Sequence, residues 1–136
     1  MHVPQGFATV APYLMVADAD DYVAFLVAAF GGTHVGTSRR DDGSVANAQV
    51  RFGDGDTVAT IMVGEARTAS DGCRVDLMLY VPDATAALAR AVDAGAKEIM
   101  AVDDMPYGDR QGGVQDSRGV TWWLSQRLVE GAYGFE

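Results

Sequence analysis

Tyr13-Leu14-Met15-Val16-Ala17-Asp18 leads into a helical run that closes on Ala29-Phe30-Gly31-Gly32. The same order returns as Met78-Leu79-Tyr80-Val81-Pro82-Asp83, leading to Asp93-Ala94-Gly95-Ala96. The offset between the copies holds within one residue at about half the chain length, so what repeats is a whole folding unit and not a short motif. Two such units side by side are expected to make a cleft between them.

Working outward from the first copy, Ala8 to Val16 is apolar and rich in strand formers. Asp18 stands where a helix N-cap belongs, and Asp20 and Asp21 face the positive end of the helix dipole. Tyr22, Phe25, Leu26, Ala29 and Phe30 recur at helical spacing, and Gly31-Gly32 supplies the stop. Thr33 to Ser38, Val45 to Phe52 and Thr57 to Val63 read as strands joined by the turns Asp42-Gly43 and Gly53-Asp54-Gly55, which makes the unit βαβββ. In the second copy Arg74 to Val81 reads as a strand, Asp83 as an N-cap, and Ala84, Leu88, Ala91 and Val92 as one helix face. Strands follow at Glu98 to Val102, Gly113 to Gln115 and Thr121 to Gln126. Asp103 to Gly112 reads as the one long polar loop, where function is expected. The fold class is therefore α+β, two tandem βαβββ units of curved mixed sheet within one domain spanning 1–136: unit one about 7–66, unit two about 73–128, and a tail 129–136 that packs or frays.

Length and hydrophobicity suit one globular core and not two independent ones. Residues 1–6 hold no basic patch ahead of an apolar core and no apolar run approaches membrane length, so neither secretion nor membrane insertion is expected and a cytoplasmic location is. Cys73 is the only cysteine, which excludes an internal disulfide and a cysteine-clustered metal site and reads as a plain thiol. A net charge of −9 argues against nucleic acid as a partner and tilts ligand preference toward cations. The glycines of Gly108 to Gly113 make a poor phosphate loop, because no helix opens after them and no lysine follows.

The duplicated units, the Val-x-Asp step into each helix, Ala29-Phe30-Gly31-Gly32 closing the first helix, and Tyr107-Gly108-Asp109-Arg110 followed by Val114-Gln115-Asp116-Ser117-Arg118-Gly119-Val120-Thr121-Trp122-Trp123 together resemble the vicinal oxygen chelate superfamily. That group includes glyoxalase I, bleomycin and fosfomycin resistance proteins and extradiol dioxygenases, and the likeness is greatest to its PhnB-like branch. The resemblance covers nearly the whole chain and implies the fold, whereas metal enzymes and metal-free binders share that scaffold.

By that resemblance, metal ligands would stand on the first strand of each unit, on a later strand of the first unit and on the last strand. Counting from the shared motifs puts Ala11, Asp76 and Trp123 at three of these places, with Thr60 nearest the fourth. One carboxylate in four does not hold a catalytic divalent ion, so no metal and no cofactor are expected. The branch's His-Ala pair is Asn47-Ala48 here, and His2 and His34 read as bystanders. Asp76 is read in two ways: a cleft-facing carboxylate with a raised pKa, the weak candidate for a metal-free base, or a paired or solvated aspartate near a strand start.

Adjacent residues on a strand point to opposite faces. The resemblance gives Trp122 the core parity and Trp123 the cleft, where an indole would wall a pocket for a planar or cationic organic molecule, with core filling as the alternative. Tyr107 is read as a ligand contact, and Arg110 as fixing the loop through Asp109 or Asp116. The expected ligand-binding set is Trp123, Tyr107, Asp76, Asn47 and Arg110, in a metal-free, homodimeric, small-molecule-sequestering protein like those of bleomycin resistance. The alternative is a glyoxalase-like lyase or isomerase, or a dioxygenase-type enzyme, with an atypical site.

Overall fold

Ala19, Tyr22, Val23, Leu26 and Ala29 give the first helix one apolar stripe, and all five are buried. In the computed structural model, which describes residues 2–68 and 75–133, that helix packs on a sheet made by the strands around it. The first unit runs β1 (Tyr13–Val16), α1 (Ala19–Phe30), β2 (Thr33–Arg39), β3 (Val45–Phe52) and β4 (Ala59–Glu65). The second runs β5 (Asp76–Tyr80), α2 (Ala84–Asp93), β6 (Lys97–Asp104), β7 (Asp109–Gln115) and β8 (Thr121–Arg127). The chain divides into these units between Cys73 and Arg74, both of which lie outside the described residues, so the thiol reading has no structural counterpart here.

The two sheets share one plan, β1-β4-β3-β2 and β5-β8-β7-β6, with the first pair parallel and the others antiparallel. Tyr13 pairs with Met62 as Met78 pairs with Trp123, so the duplication reaches the register. Period two then separates the faces. Leu14, Val16, Ala48, Val50, Ile61 and Val63 are buried in the first unit, and Val114, Trp122 and Leu124 in the second.

Helix starts differ between the copies. Asp83 caps α2 as read, its Oδ1 accepting the Ala86 N–H at 3.1 Å. Asp18 occupies the N-cap position of α1 but takes a left-handed conformation (φ 53°, ψ 57°) and makes no side-chain cap bond. Glu65, arriving at the end of β4, accepts the N–H groups of Asp18 and Ala19 at 2.9 Å each. Gln126 of β8 reaches the Ala84 N–H in the same way, at 3.0 Å.

Several boundaries are corrected. Residues 8–12 are not strand: Val10 is 84% exposed, and Pro12 has no N–H and contributes only its carbonyl, to Met62. Thr57 belongs to a 3-10 turn, Gly55–Thr57, that precedes β4. Val92 leaves the apolar face of α2 and is exposed. The largest change is at Asp103 to Gly112, which is a hairpin and not a long loop: Asp103 and Asp104 end β6, the turn spans 105–108, and Asp109 to Gly112 are paired in the middle of the sheet. Glycines there suggested a loop, but Gly112 and Gly113 are small because bulky groups cover them. A Cβ on Gly112 would lie 2.6 Å from Leu88.

Candidate functional site

Gly112 faces Leu88 of α2, and its neighbour Gly113 faces Trp123, which separates the helix-covered face of the second sheet from the helix-free one. Trp122 is on the covered side, 1% exposed, its Nε1 donating to Asp116 Oδ2 at 2.9 Å. Asp116 Oδ1 accepts the N–H groups of Arg118 and Val120, fixing the turn that delivers β8. Trp123 is half-buried on the helix-free side. Its six-membered ring lies over Gly113 of β7, and its Nε1 donates to Asp76 Oδ2 of β5 at 3.2 Å. The indole thus reaches from β8 to both neighbouring strands, β7 at Gly113 and β5 at Asp76.

Around Trp123 the same face carries Met78, Tyr80, Ile99 and Tyr107, all exposed. Gln111 organises part of this surface: its Nε2 donates to Met78 Sδ at 3.2 Å, and its carbonyl accepts the Tyr107 hydroxyl. Burial raises the Tyr107 pKa, with the negative charge of Asp109 adding to it, so the phenol stays a donor. Asp76 is exposed at the start of β5 and accepts the Trp123 indole N–H.

Beside Tyr107 lies a fully buried carboxylate. Asp109 accepts Ser125 Oγ at 2.6 Å, Arg127 Nη1 at 2.9 Å and the Tyr133 hydroxyl at 2.5 Å. Burial pushes its pKa up, but the hydrogen bonds from Ser125, Tyr133 and Arg127 outweigh this and hold it below the ordinary value. The same bond raises the Tyr133 pKa, with Tyr80 contributing.

Arg110 is not part of this face. Being next to Asp109 on a strand, it points the other way and pairs with Asp104 (Nε to Oδ1 2.7 Å), not with Asp109 or Asp116 as expected. Asn47 belongs to the first unit, where register makes it the counterpart of Gln111, and it too donates to a methionine sulfur, Met62 Sδ at 3.4 Å. Asn47 Oδ1 is buried without a hydrogen-bond partner among the described residues. His34 is exposed and bonded to Thr37, and His2 is exposed.

The donor set does not suit a metal ion. Ala11 has no donor atom, the Trp123 N–H is a hydrogen-bond donor without a lone pair, and Thr60 is buried and gives its hydroxyl to the Gly6 carbonyl at 2.6 Å. Register also identifies Met62, and not Thr60, as the counterpart of Trp123. Among the described residues no three His, Cys, Asp or Glu side chains converge, and no helix is long and apolar enough to cross a membrane.

Residues 11–124 match the glyoxalase-like domain family, and the chain belongs to it. An uncharacterised protein of Mycobacterium bovis is 33% identical over 127 residues, covering 88% of this chain and 84% of the relative. Among solved structures, TioX from Micromonospora sp. ML1 is similar with TM-score 0.72 at 23% identity, covering 90% of this chain and 99% of that one. TnmS3, an antibiotic binding protein from Streptomyces sp. CB03234, has TM-score 0.68 at 17% identity over 93% and 98%. A PhnB protein from Bacillus cereus shares the fold with TM-score 0.64 at 16% identity over 88% and 99%.

Sequence reasoning did not single out Met78, Tyr80, Gln111, Ser125, Arg127 or Tyr133. The signal was available in part: once β7 is extended back to Asp109, alternation puts Asp109, Gln111 and Gly113 on the side of Trp123, Ser125 and Arg127. Tyr133 lies outside the sheet, and no periodicity reaches it.

Proposed function

We propose that the chain binds a small planar organic molecule, neutral or cationic, on the helix-free face of its second sheet, without metal or other cofactor, and sequesters it without chemical change. The observation that carries this is Trp123: an indole held between Gly113, against which its six-membered ring packs, and Asp76 at its N–H, on a face that also carries exposed Met78, Tyr80, Ile99 and Tyr107. A fixed aromatic plane among apolar side chains stacks on a flat ligand at little cost in ordering. An exposed apolar surface of this kind is a recognised mark of a binding site. The charge of −9, with Asp76 at the edge of the indole, favours cations over anions. The fold shared with TnmS3, an antibiotic binding protein, supports the reading at the level of scaffold.

The chain is further proposed to be a cytoplasmic homodimer that binds neither nucleic acid nor membrane. β2 is exposed along nearly all its length and is an edge of its sheet with no further strand beside it among the described residues, which a second copy would protect. Sedimentation at micromolar concentration tests this, and a monomer refutes it.

The test of binding is a fluorescence titration of the Trp122→Phe variant, whose single indole is Trp123, against a panel of planar cationic and neutral aromatics. Quenching with low micromolar or tighter affinity, abolished by Trp123→Ala, is the expected result. Ligand recovered chemically altered, or affinity unchanged by Trp123→Ala, overturns it.

A further inference from the structure

The last described residues fold back onto the face that carries Trp123. The Leu128 N–H donates to the Gly108 carbonyl at 3.0 Å, and Arg127 Nη2 donates to the carbonyls of Gly131 and Ala132 at 3.4 and 3.3 Å. This lays the Tyr133 ring on the Arg127 guanidinium, 4.3 Å from its carbon to the ring centroid. The ring meets Tyr107 edge to face, with centroids 6.2 Å apart. Its hydroxyl lies 2.5 Å from Asp109 Oδ2 and 2.9 Å from the Tyr80 hydroxyl. Asp109, held ionised by three donors, has no proton to give, so Tyr133 donates to Asp109 and Tyr80 donates to Tyr133.

Three independent features therefore hold one hydroxyaryl ring: a cation on its face, an aromatic edge beside it, and an ionised acceptor with a phenol donor at its hydroxyl. The ring reaches this place at the end of a short irregular segment held by one main-chain bond, from Leu128 to Gly108, and by the Arg127 guanidinium on the carbonyls of Gly131 and Ala132, and ends of this kind are where local opening concentrates. The position is also continuous with Trp123, because Ser125, which bonds Asp109, is two residues along the same face of β8, about 7 Å away.

We propose that this position is a ligand subsite for a neutral hydroxyaryl group, with Tyr133 of the chain's own C-terminal segment as its resident occupant. A ligand with a phenolic ring replaces Tyr133 here while the rest of its plane stacks on Trp123. The inference rests on reading the helix-free face as the binding face, and it narrows the ligand class: the hydroxyl must arrive protonated, since Asp109 repels a phenolate or carboxylate.

The test uses p-cresol, the tyrosine side chain as a free molecule, on Tyr133→Ala and on a second variant ending at Ala132, so that failure of one to fold leaves the other. p-Cresol is expected to raise the melting temperature of both variants and to leave that of the native chain unchanged at the same concentration. Toluene, which lacks the hydroxyl bonded to Asp109, is expected to bind about tenfold more weakly or worse. No rise with p-cresol, an equal rise with toluene, or an equal rise in the native chain overturns the subsite. Repeating the series in the Trp123→Ala background removes stacking on that indole from the readout, so the subsite and the stacking surface can fail separately.

Discussion

Gly113 and Trp123 stand in register across β7 and β8, and a Cβ on Gly113 would come 2.6 Å from the indole. The plane of the proposed stacking surface is therefore set by a missing side chain. Gly113→Ala is expected to lift the ring from the sheet, costing about 1–3 kcal/mol of stability as overpacking. Trp123 emission should shift to the red and affinity for planar ligands should fall. Urea unfolding and the emission spectrum of Gly113→Ala in the Trp122→Phe background check this; unchanged emission would mean that the ring has room to spare.

The two tryptophans should separate cleanly by mutation. Trp122→Ala removes a fully buried ring and leaves Asp116 without its indole donor, so a loss of about 3–5 kcal/mol is expected. Trp123→Ala should cost less stability and remove about 1–3 kcal/mol of binding, by comparison with stacking on aromatics elsewhere. Denaturant midpoints and ligand titrations on both variants give the comparison, and a larger loss of stability from Trp123→Ala would reverse the assignment of faces.

The duplication was legible because it is written in local signals: Asp before each helix, Gly after, and alternation in Val45 to Phe52. What was not legible depended on packing across the sheet. Gly108, Gly112 and Gly113 look alike in the chain, yet Gly108 turns the hairpin with φ 95° while the other two lie under Leu88 and Trp123. Taken as alike, the three imply a loop where the sheet continues. The Asp18 cap failed for a similar reason, because Glu65, distant in sequence, reaches the helix first. Trp122 and Trp123 were separable because adjacency on a strand fixes opposite faces whatever the neighbours. Tyr133 was invisible because its place is set by Arg127 and Asp109 and not by any pattern of its own.

Glu65 offers a measurable difference between the copies. It serves two backbone donors of α1, whereas Gln126 serves one donor of α2, where Asp83 also caps. Glu65→Ala is expected to cost about 1–2 kcal/mol, the upper range for a lost cap, and Gln126→Ala about 0.5–1 kcal/mol. Equal effects in urea unfolding would show that Asp18 takes over when Glu65 is removed.

Asp109 ties acid stability to the Tyr133 contact. Its folded pKa lies below the ordinary aspartate value, so its contribution is complete above the unfolded value of about 3.9 and fades as pH falls through the depressed folded value. Tyr133 has the opposite sense: its pKa is raised, so its contribution is complete below about pH 10 and fades only as pH climbs through the folded value. The contact should therefore be intact across roughly pH 5 to 9 and weaken in acid, with the C-terminal segment released as Asp109 protonates. Asp109→Asn should lower stability at neutral pH by about 1–3 kcal/mol, since Arg127 loses its ionised partner, and should flatten the acid limb of the profile. Urea midpoints of the native and Asp109→Asn chains from pH 2 to 9, read alongside Tyr133 ring resonances, measure both effects. Parallel profiles through the acid range would show that another carboxylate controls acid unfolding.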